Sequence, residues 1–237
     1  MSRLSEFFDE LRGLYPNDWY WKELDVAKTV LPQVKSILRT YERAINVLDQ
    51  RSWDFIRGEA IKKFSINTEG RGKLSFFNQL NEAFAYRYLI QKGRENVVFM
   101  PRKKKKMTPD LSFQKNSETY FCEVKTVGIT NAEIELFNLK KSFDSHQRYA
   151  ELVPFHFERI RCHLTRALEQ IKVHGVGFIY LIVNFDDYTL RYYDGHKKQI
   201  LRYLAQTFPD TEVYVKVGIQ SRKRIHHVPH AKIAAYT

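Results

Sequence analysis

The segment TPDLSFQKNSETYFCEVKT contains three side chains that could act together on a phosphodiester. Asp110 follows a proline, and Glu123 and Lys125, separated by one valine, come after twelve intervening residues. Two carboxylates can bind a divalent cation, and an ammonium group beside them can offset charge that develops on a phosphate. The pattern therefore predicts a metal-dependent site built from these three residues.

Strand geometry predicts that Glu123 and Lys125 share one face of a sheet. Side chains alternate across a strand, so Cys122 and Val124 point to the opposite face. The alternation separates residues that could do chemistry from residues that fill a core, and Val124 is expected to contribute packing only.

A hairpin register brings Asp110 to the same face. If QKNSE forms a turn centred between Asn116 and Ser117, antiparallel pairing sets Asp110 opposite Glu123, roughly 5 Å apart at Cβ. A slip by one residue would bury the carboxylates and expose the apolar set. The apolar pairs in this register are Leu111 with Cys122 and Phe113 with Tyr120.

Carboxylates held this close resist joint ionisation unless a cation lies between them. Mg²⁺, or Mn²⁺ in its place, is the expected cofactor, because Mg²⁺ combines a few carboxylate oxygens with waters and phosphate oxygens. Lys125 is then expected to orient the attacking water or to offset transition-state charge.

The arrangement P-D-x12-E-x-K resembles the PD-(D/E)xK phosphodiesterase superfamily, which includes restriction endonucleases, junction resolvases and RecB-type nucleases. The resemblance implies a restriction-endonuclease-like fold and divalent-metal-dependent hydrolysis of nucleic acid, usually DNA. It covers residues 75–127 and, in outline, 157–185, whereas residues 1–66 and 129–155 lie outside the resemblance. The residues that carry it are Pro109, Asp110, Glu123, Val124 and Lys125.

The resemblance also implies two supporting residues. Many members carry an acid on the helix before the first core strand, and Glu82 in NEAFAYRYLIQKG occupies that place as a further catalytic and metal-binding candidate. Gln170 matches a position where some members place a glutamine or lysine that supports the site. An ordinary helix-surface role is the favoured interpretation of Gln170.

Charge favours a polyanionic partner. Lysine and arginine number 39 against 27 acidic residues, which gives a net charge of +12 and a pI near 9.6. Nucleic acid, most plausibly DNA, is the first such partner to consider. A run just before Pro109 either binds phosphates or forms a solvated loop. Its members are Arg102, Lys103, Lys104, Lys105 and Lys106.

The two cysteines, Cys122 and Cys162, form no CxxC pair and no disulfide framework, and both are expected to be buried or inert. The pattern predicts a reducing, cytoplasmic location. The N-terminus lacks the apolar run of a signal peptide, and no stretch approaches eighteen apolar residues, so neither secretion nor membrane insertion is expected.

Hydrophobic periodicity predicts an α/β fold, with a mixed central sheet flanked by helices and an N-terminal helical region. The resemblance implies that this sheet has a restriction-endonuclease-like arrangement. Residues 1–66 are the helical region, 67–219 the nuclease core with an insertion at 129–155, and 220–237 a basic tail. Predicted helices span residues 75–92, 157–173 and 196–207. Predicted strands span residues 96–101, 109–113, 119–127, 177–185 and 212–217.

Three functions remain open. The leading hypothesis is a Mg²⁺- or Mn²⁺-dependent DNA endonuclease acting in restriction, phage defence or repair, because a pure binder has no reason to hold two carboxylates toward a phosphate backbone. The alternatives are a non-catalytic nucleic-acid-binding module and an assembly subunit that forms a homodimer or binds a partner protein through its N-terminal helices. Trp19, Tyr20, Trp21 and Trp53 are expected to fill a helical core rather than to stack on bases.

Overall fold

The computed structural model describes residues 2–66, 73–101, 107–128, 151–152, 154–184, 193–219 and 226–228. The chain forms two compact units. The first unit comprises Met1–Phe99 and Phe113–Ser117, and the second comprises Met100–Ser112 and Glu118–Thr237. The lysine-rich run 102–106 and most of the predicted insertion 129–155 lie outside the described residues. No helix in the described ranges is long and apolar enough to cross a membrane.

The first unit is mainly helical, as predicted for residues 2–66. Three of its helices begin at side-chain caps, since Ser2, Asp18 and Asp49 each accept a hydrogen bond from a backbone amide in the following turn. Its elements are α1 (Arg3–Leu14), α2 (Trp19–Val30), α3 (Pro32–Ile45), α4 (Gln50–Phe64), α5 (Leu74–Gln91) and β1 (Glu95–Phe99).

An aromatic core holds these helices together. Trp21 stacks on Phe64 with ring centroids 5.1 Å apart, and Phe7 meets Trp53 edge to face at 5.3 Å. Burial of Trp21 and Trp53 confirms the predicted core role, whereas Trp19 is 43% exposed. Helices α3 and α4 pack on α5, so the helical unit continues past residue 66.

The first unit ends in a hairpin turn. β1 lies beside β2 (Leu111–Lys115), whose last three residues belong to this unit. Gly93 ends α5 with a φ of 66°, as predicted for a helix stop. Asn116 and Ser117, with φ of 52° and 65°, form a two-residue turn before the next strand, which confirms the predicted turn centre.

The second unit alternates strands and helices. The unit contains the first two residues of β2 and the strands β3 to β6, which are neighbours in the sheet in the order of the sequence. The pairs β3–β4 and β4–β5 are parallel, and β5–β6 is antiparallel. This mixed sheet with helices confirms the α/β class. Its elements are β3 (Glu118–Gly128), α6 (Pro154–Lys172), β4 (Gly177–Asn184), α7 (Tyr193–Thr207), β5 (Val213–Val217) and β6 (His226–Val228). β6 lies within the tail 220–237, where no strand was predicted.

The core of the second unit fixes where β3 lies. β4 is buried from Phe178 to Val183, as its continuous apolar run predicted. Gly177 pairs with Phe121, and a Cβ at Gly177 would lie 2.2 Å from the Phe121 carbonyl oxygen, so only glycine fits there. The buried face of α6 packs in this core through Ile160, Leu164, Ala167 and Ile171.

Candidate active site

β3 positions two of the predicted residues in the interior of the second unit. Glu123 and Lys125 pair in register with Ile179 and Leu181 of β4, and they alternate with the same period as Val127, which packs in the core with α6. Glu123 is 2% exposed, and its Oε1 accepts a hydrogen bond from Lys125 Nζ at 2.5 Å. The lysine side chain keeps 19% exposure, so one edge of this ion pair reaches the surface.

Asp110 joins them from the bend before β2. Its backbone amide donates to Glu123 Oε2 at 3.2 Å, and its own Oδ2 accepts from the Val124 amide at 2.8 Å. Each carboxylate is therefore tied to the backbone beside the other, which confirms the predicted proximity of Asp110 and Glu123. Val124 does more than pack, contrary to the prediction, because its backbone N–H orients the aspartate.

Gln170 connects the lysine to the segment that carries Asp110. Its Oε1 accepts from Lys125 Nζ at 2.8 Å, and its Nε2 donates to the Thr108 carbonyl at 3.3 Å. The favoured prediction of an ordinary surface residue is wrong, because α6 turns this position toward β3. His174 holds the same segment through a contact of 2.9 Å between Nε2 and the Met107 carbonyl oxygen, a role that sequence reasoning missed.

Burial disfavours the ionised form of Glu123. Loss of solvation is the larger cause and repulsion from Asp110 the smaller one, and together they raise the pKa of Glu123 from an ordinary 4.5 to about 8. The Lys125 ammonium opposes this shift. A buried carboxyl group whose ionisation is opposed by a neighbouring, half-buried carboxylate is typical of functional sites. A cation near both would relieve the repulsion.

The donor set suits a hard divalent ion. No group of three or more His, Cys, Asp or Glu side chains converges within the described part of the chain, so the candidate ligands there are two carboxylates. Mg²⁺ is commonly held by one or two carboxylates, with waters and substrate phosphate oxygens completing its shell. Asp110 and Glu123 meet that requirement, and their mutual repulsion supplies a reason to bind a cation.

The other predicted residues are Glu82, the run 102–106 and the two cysteines. Glu82 is on α5 in the first unit and is 5% exposed. Residues 102–106 fall outside the described residues, so their predicted phosphate contacts stay a prediction. Cys122 is buried, as expected, whereas Cys162 is exposed, and both are free thiols.

Comparison of the chain with protein-family models, with curated proteins and with solved structures finds no match.

Proposed function

We propose that this protein is a divalent-metal-dependent nuclease whose active centre contains Asp110, Glu123 and Lys125. The observation that carries the proposal is a pair of neighbouring carboxylates, each accepting a hydrogen bond from a backbone amide beside the other, of which Glu123 is almost fully buried and accepts from Lys125. A purely structural pair would gain little from this arrangement, because burying like charges costs free energy.

In the proposed reaction Asp110 and Glu123 hold Mg²⁺ or Mn²⁺. Such an ion, when bound, polarises the phosphate and lowers the pKa of a bound water. The backbone amide of Asp110 donates to Glu123 and that of Val124 donates to Asp110, so each carboxylate is restrained by the main chain. The protein thus supplies a fixed pair of oxygen ligands before substrate arrives.

Lys125 has a donor left for the substrate. An ammonium group carries three N–H donors, and in the described residues Lys125 uses one on Glu123 and one on Gln170. The third can donate to a phosphate oxygen or orient the attacking water. Gln170 is a positioning residue, since it restrains the lysine and the Asp110 segment together.

DNA is the proposed substrate and the cytoplasm the proposed location. The net charge of +12 supports a polyanionic partner, and two free thiols fit a reducing compartment. A restriction-endonuclease-like fold and a role in restriction, phage defence or repair belong to the same proposal. Participation of Glu82 stays a prediction, which Glu82→Gln tests in the assay below.

The test is cleavage of plasmid, linear and single-stranded DNA and of RNA, each with Mg²⁺, Mn²⁺ or EDTA. We expect metal-dependent cleavage of DNA that Lys125→Met abolishes. Glu118→Gln is the matched control, because Glu118 lies on the same strand but is exposed and should leave cleavage unchanged. Equal cleavage by wild type and Lys125→Met would refute the assignment of the site.

Two non-catalytic functions have an observation in their favour. The charge of +12 fits a nucleic-acid-binding module, which would show metal-independent binding and no cleavage of any substrate. Exposed apolar side chains on α2, Val26 at 59% and Val30 at 66%, fit an assembly subunit. Size exclusion of Val26→Glu/Val30→Glu decides the latter, since an unchanged oligomeric state removes its support.

A further inference from the structure

A second face of α6 carries positive charge beside the active centre. Arg159, His163 and Arg166 are spaced by four and three residues, and Gln170 follows after four more. Residues at these intervals lie on one side of a helix. We call the first three the basic stripe. It lies on a different face from the core residues Ile160, Leu164, Ala167 and Ile171.

Both ends of this helix face contact β3. The Arg159 guanidinium donates to the Gly128 carbonyl at the last residue of the strand. At the other end, Gln170 accepts from Lys125 within the active centre. The basic stripe therefore runs along β3, from the lysine to the carboxyl end of the strand.

The arginine of the basic stripe that is nearest in sequence to Gln170 is free to bind an anion. Arg166 is exposed and makes no ion pair with any described residue. Elsewhere on α6, Arg161 is neutralised by Glu158, with Nη2 and Oε1 2.5 Å apart. The same helix thus pairs one arginine with an acid and leaves the arginine near the active centre unpaired.

Electrostatics supports the clustering of these cations. The pKa of His163 is lowered, mainly by partial burial and further by the positive charges of Lys125, Arg159 and Arg166. Those three cations are therefore close enough to His163 to repel an added proton. An anion placed along the stripe would be attracted by several positive groups at once.

We propose that the basic stripe binds the phosphate backbone of the nucleic-acid strand as it leaves the active centre. The inference rests on the proposed function, because that function puts a phosphate at Lys125. From residue 159 to 170 the helix extends about 16 Å, long enough to follow several consecutive phosphates of one strand. Arginine suits this task, since its guanidinium binds phosphate through two parallel hydrogen bonds.

The test is binding of a fluorescein-labelled DNA duplex by anisotropy, in EDTA to prevent cleavage, over a range of KCl concentrations. For Arg166→Ala we expect affinity to fall by about threefold to tenfold, and the slope of log K against log salt to flatten by about 0.9. Arg166→Lys keeps one charge and should restore the slope. Arg161→Ala is the matched control, because it removes one charge from another face of α6 and should retain wild-type binding.

The proposal for the basic stripe is overturned if Arg166→Ala binds the duplex like the wild type, if both alanine variants weaken binding equally, or if the wild type does not bind the duplex. Cleavage measured on the same preparations separates the two proposals. Metal-dependent cleavage with unaltered binding by Arg166→Ala refutes the stripe and leaves the nuclease. Selective loss of binding in Arg166→Ala, with no cleavage by the wild type, supports the stripe and refutes the nuclease.

Discussion

Replacement of Glu123 by glutamine should make the metal-free protein increasingly more stable than the wild type as the pH rises. Glutamine has nearly the same shape but cannot ionise. Burial and the neighbouring Asp110 raise the pKa of Glu123 above the value of an ordinary glutamate. A carboxyl group with a raised pKa contributes stability below its unfolded pKa and loses it as the pH rises through its folded pKa.

The magnitude follows from the two pKa values, 4.5 in the unfolded chain and about 8 in the folded protein. Between them the folded state must retain a proton or bury a charge, and the free energy of unfolding falls by about 1.4 kcal/mol per pH unit. From pH 5.5 to 7.5 the variant should gain about 2.5 kcal/mol on the wild type. Loss of the hydrogen bond from Lys125 adds an offset, so the slope is the quantity to test.

The assay is urea unfolding in EDTA at several pH values, followed by circular dichroism for wild type, Glu123→Gln and the exposed control Glu118→Gln. We expect the difference in unfolding free energy to rise with pH for Glu123→Gln and to stay level for the control. Added Mn²⁺ should flatten the wild-type profile, because a bound cation favours the ionised carboxylate. A level or falling difference for Glu123→Gln would refute the account of a strained buried carboxyl.

Three further results follow from the same geometry. Gln170→Ala removes the restraint on Lys125 and on the Thr108 carbonyl, so kcat should fall about tenfold or more with little change in DNA affinity, measured by steady-state cleavage and anisotropy. Gly177→Ala forces a Cβ against the Phe121 carbonyl oxygen and should lower the free energy of unfolding by about 1 to 3 kcal/mol, measured by urea unfolding. Mn²⁺ binding measured by calorimetry should strengthen by up to about tenfold per pH unit below pH 8 and release protons to the buffer, because the buried carboxyl must ionise to bind metal.

Local rules were sufficient to predict the carboxylate pair. Strand alternation and a short turn at Asn116 and Ser117 determine which residues lie opposite one another, and both depend on sequence neighbours alone. The same rules could not show that the Val124 amide binds Asp110, because backbone donors carry no sequence signal. For a site on one hairpin, the positions of the side chains can therefore be predicted from the sequence, whereas the hydrogen bonds of the main chain cannot.

Contacts between distant segments were harder to predict. Gln170 reaches Lys125 across 45 residues of chain, and its partner depends on how α6 is rotated on the sheet. The spacing of Arg159, His163 and Arg166 can be seen in the sequence. The sequence does not show that this face of the helix lies beside β3, which is what places the three residues near the active centre. β6 escaped prediction because a three-residue strand has almost no pattern, and its pairing with β5 determines its conformation.

The most direct test of the central claim is plasmid cleavage in Mg²⁺ by the wild type and by Asp110→Asn, with both proteins shown to be folded by circular dichroism. We expect that the wild type cleaves, that EDTA stops the reaction, and that Asp110→Asn is inactive in Mg²⁺. Equal cleavage by the two proteins, or wild-type cleavage that persists in EDTA, would contradict the claim.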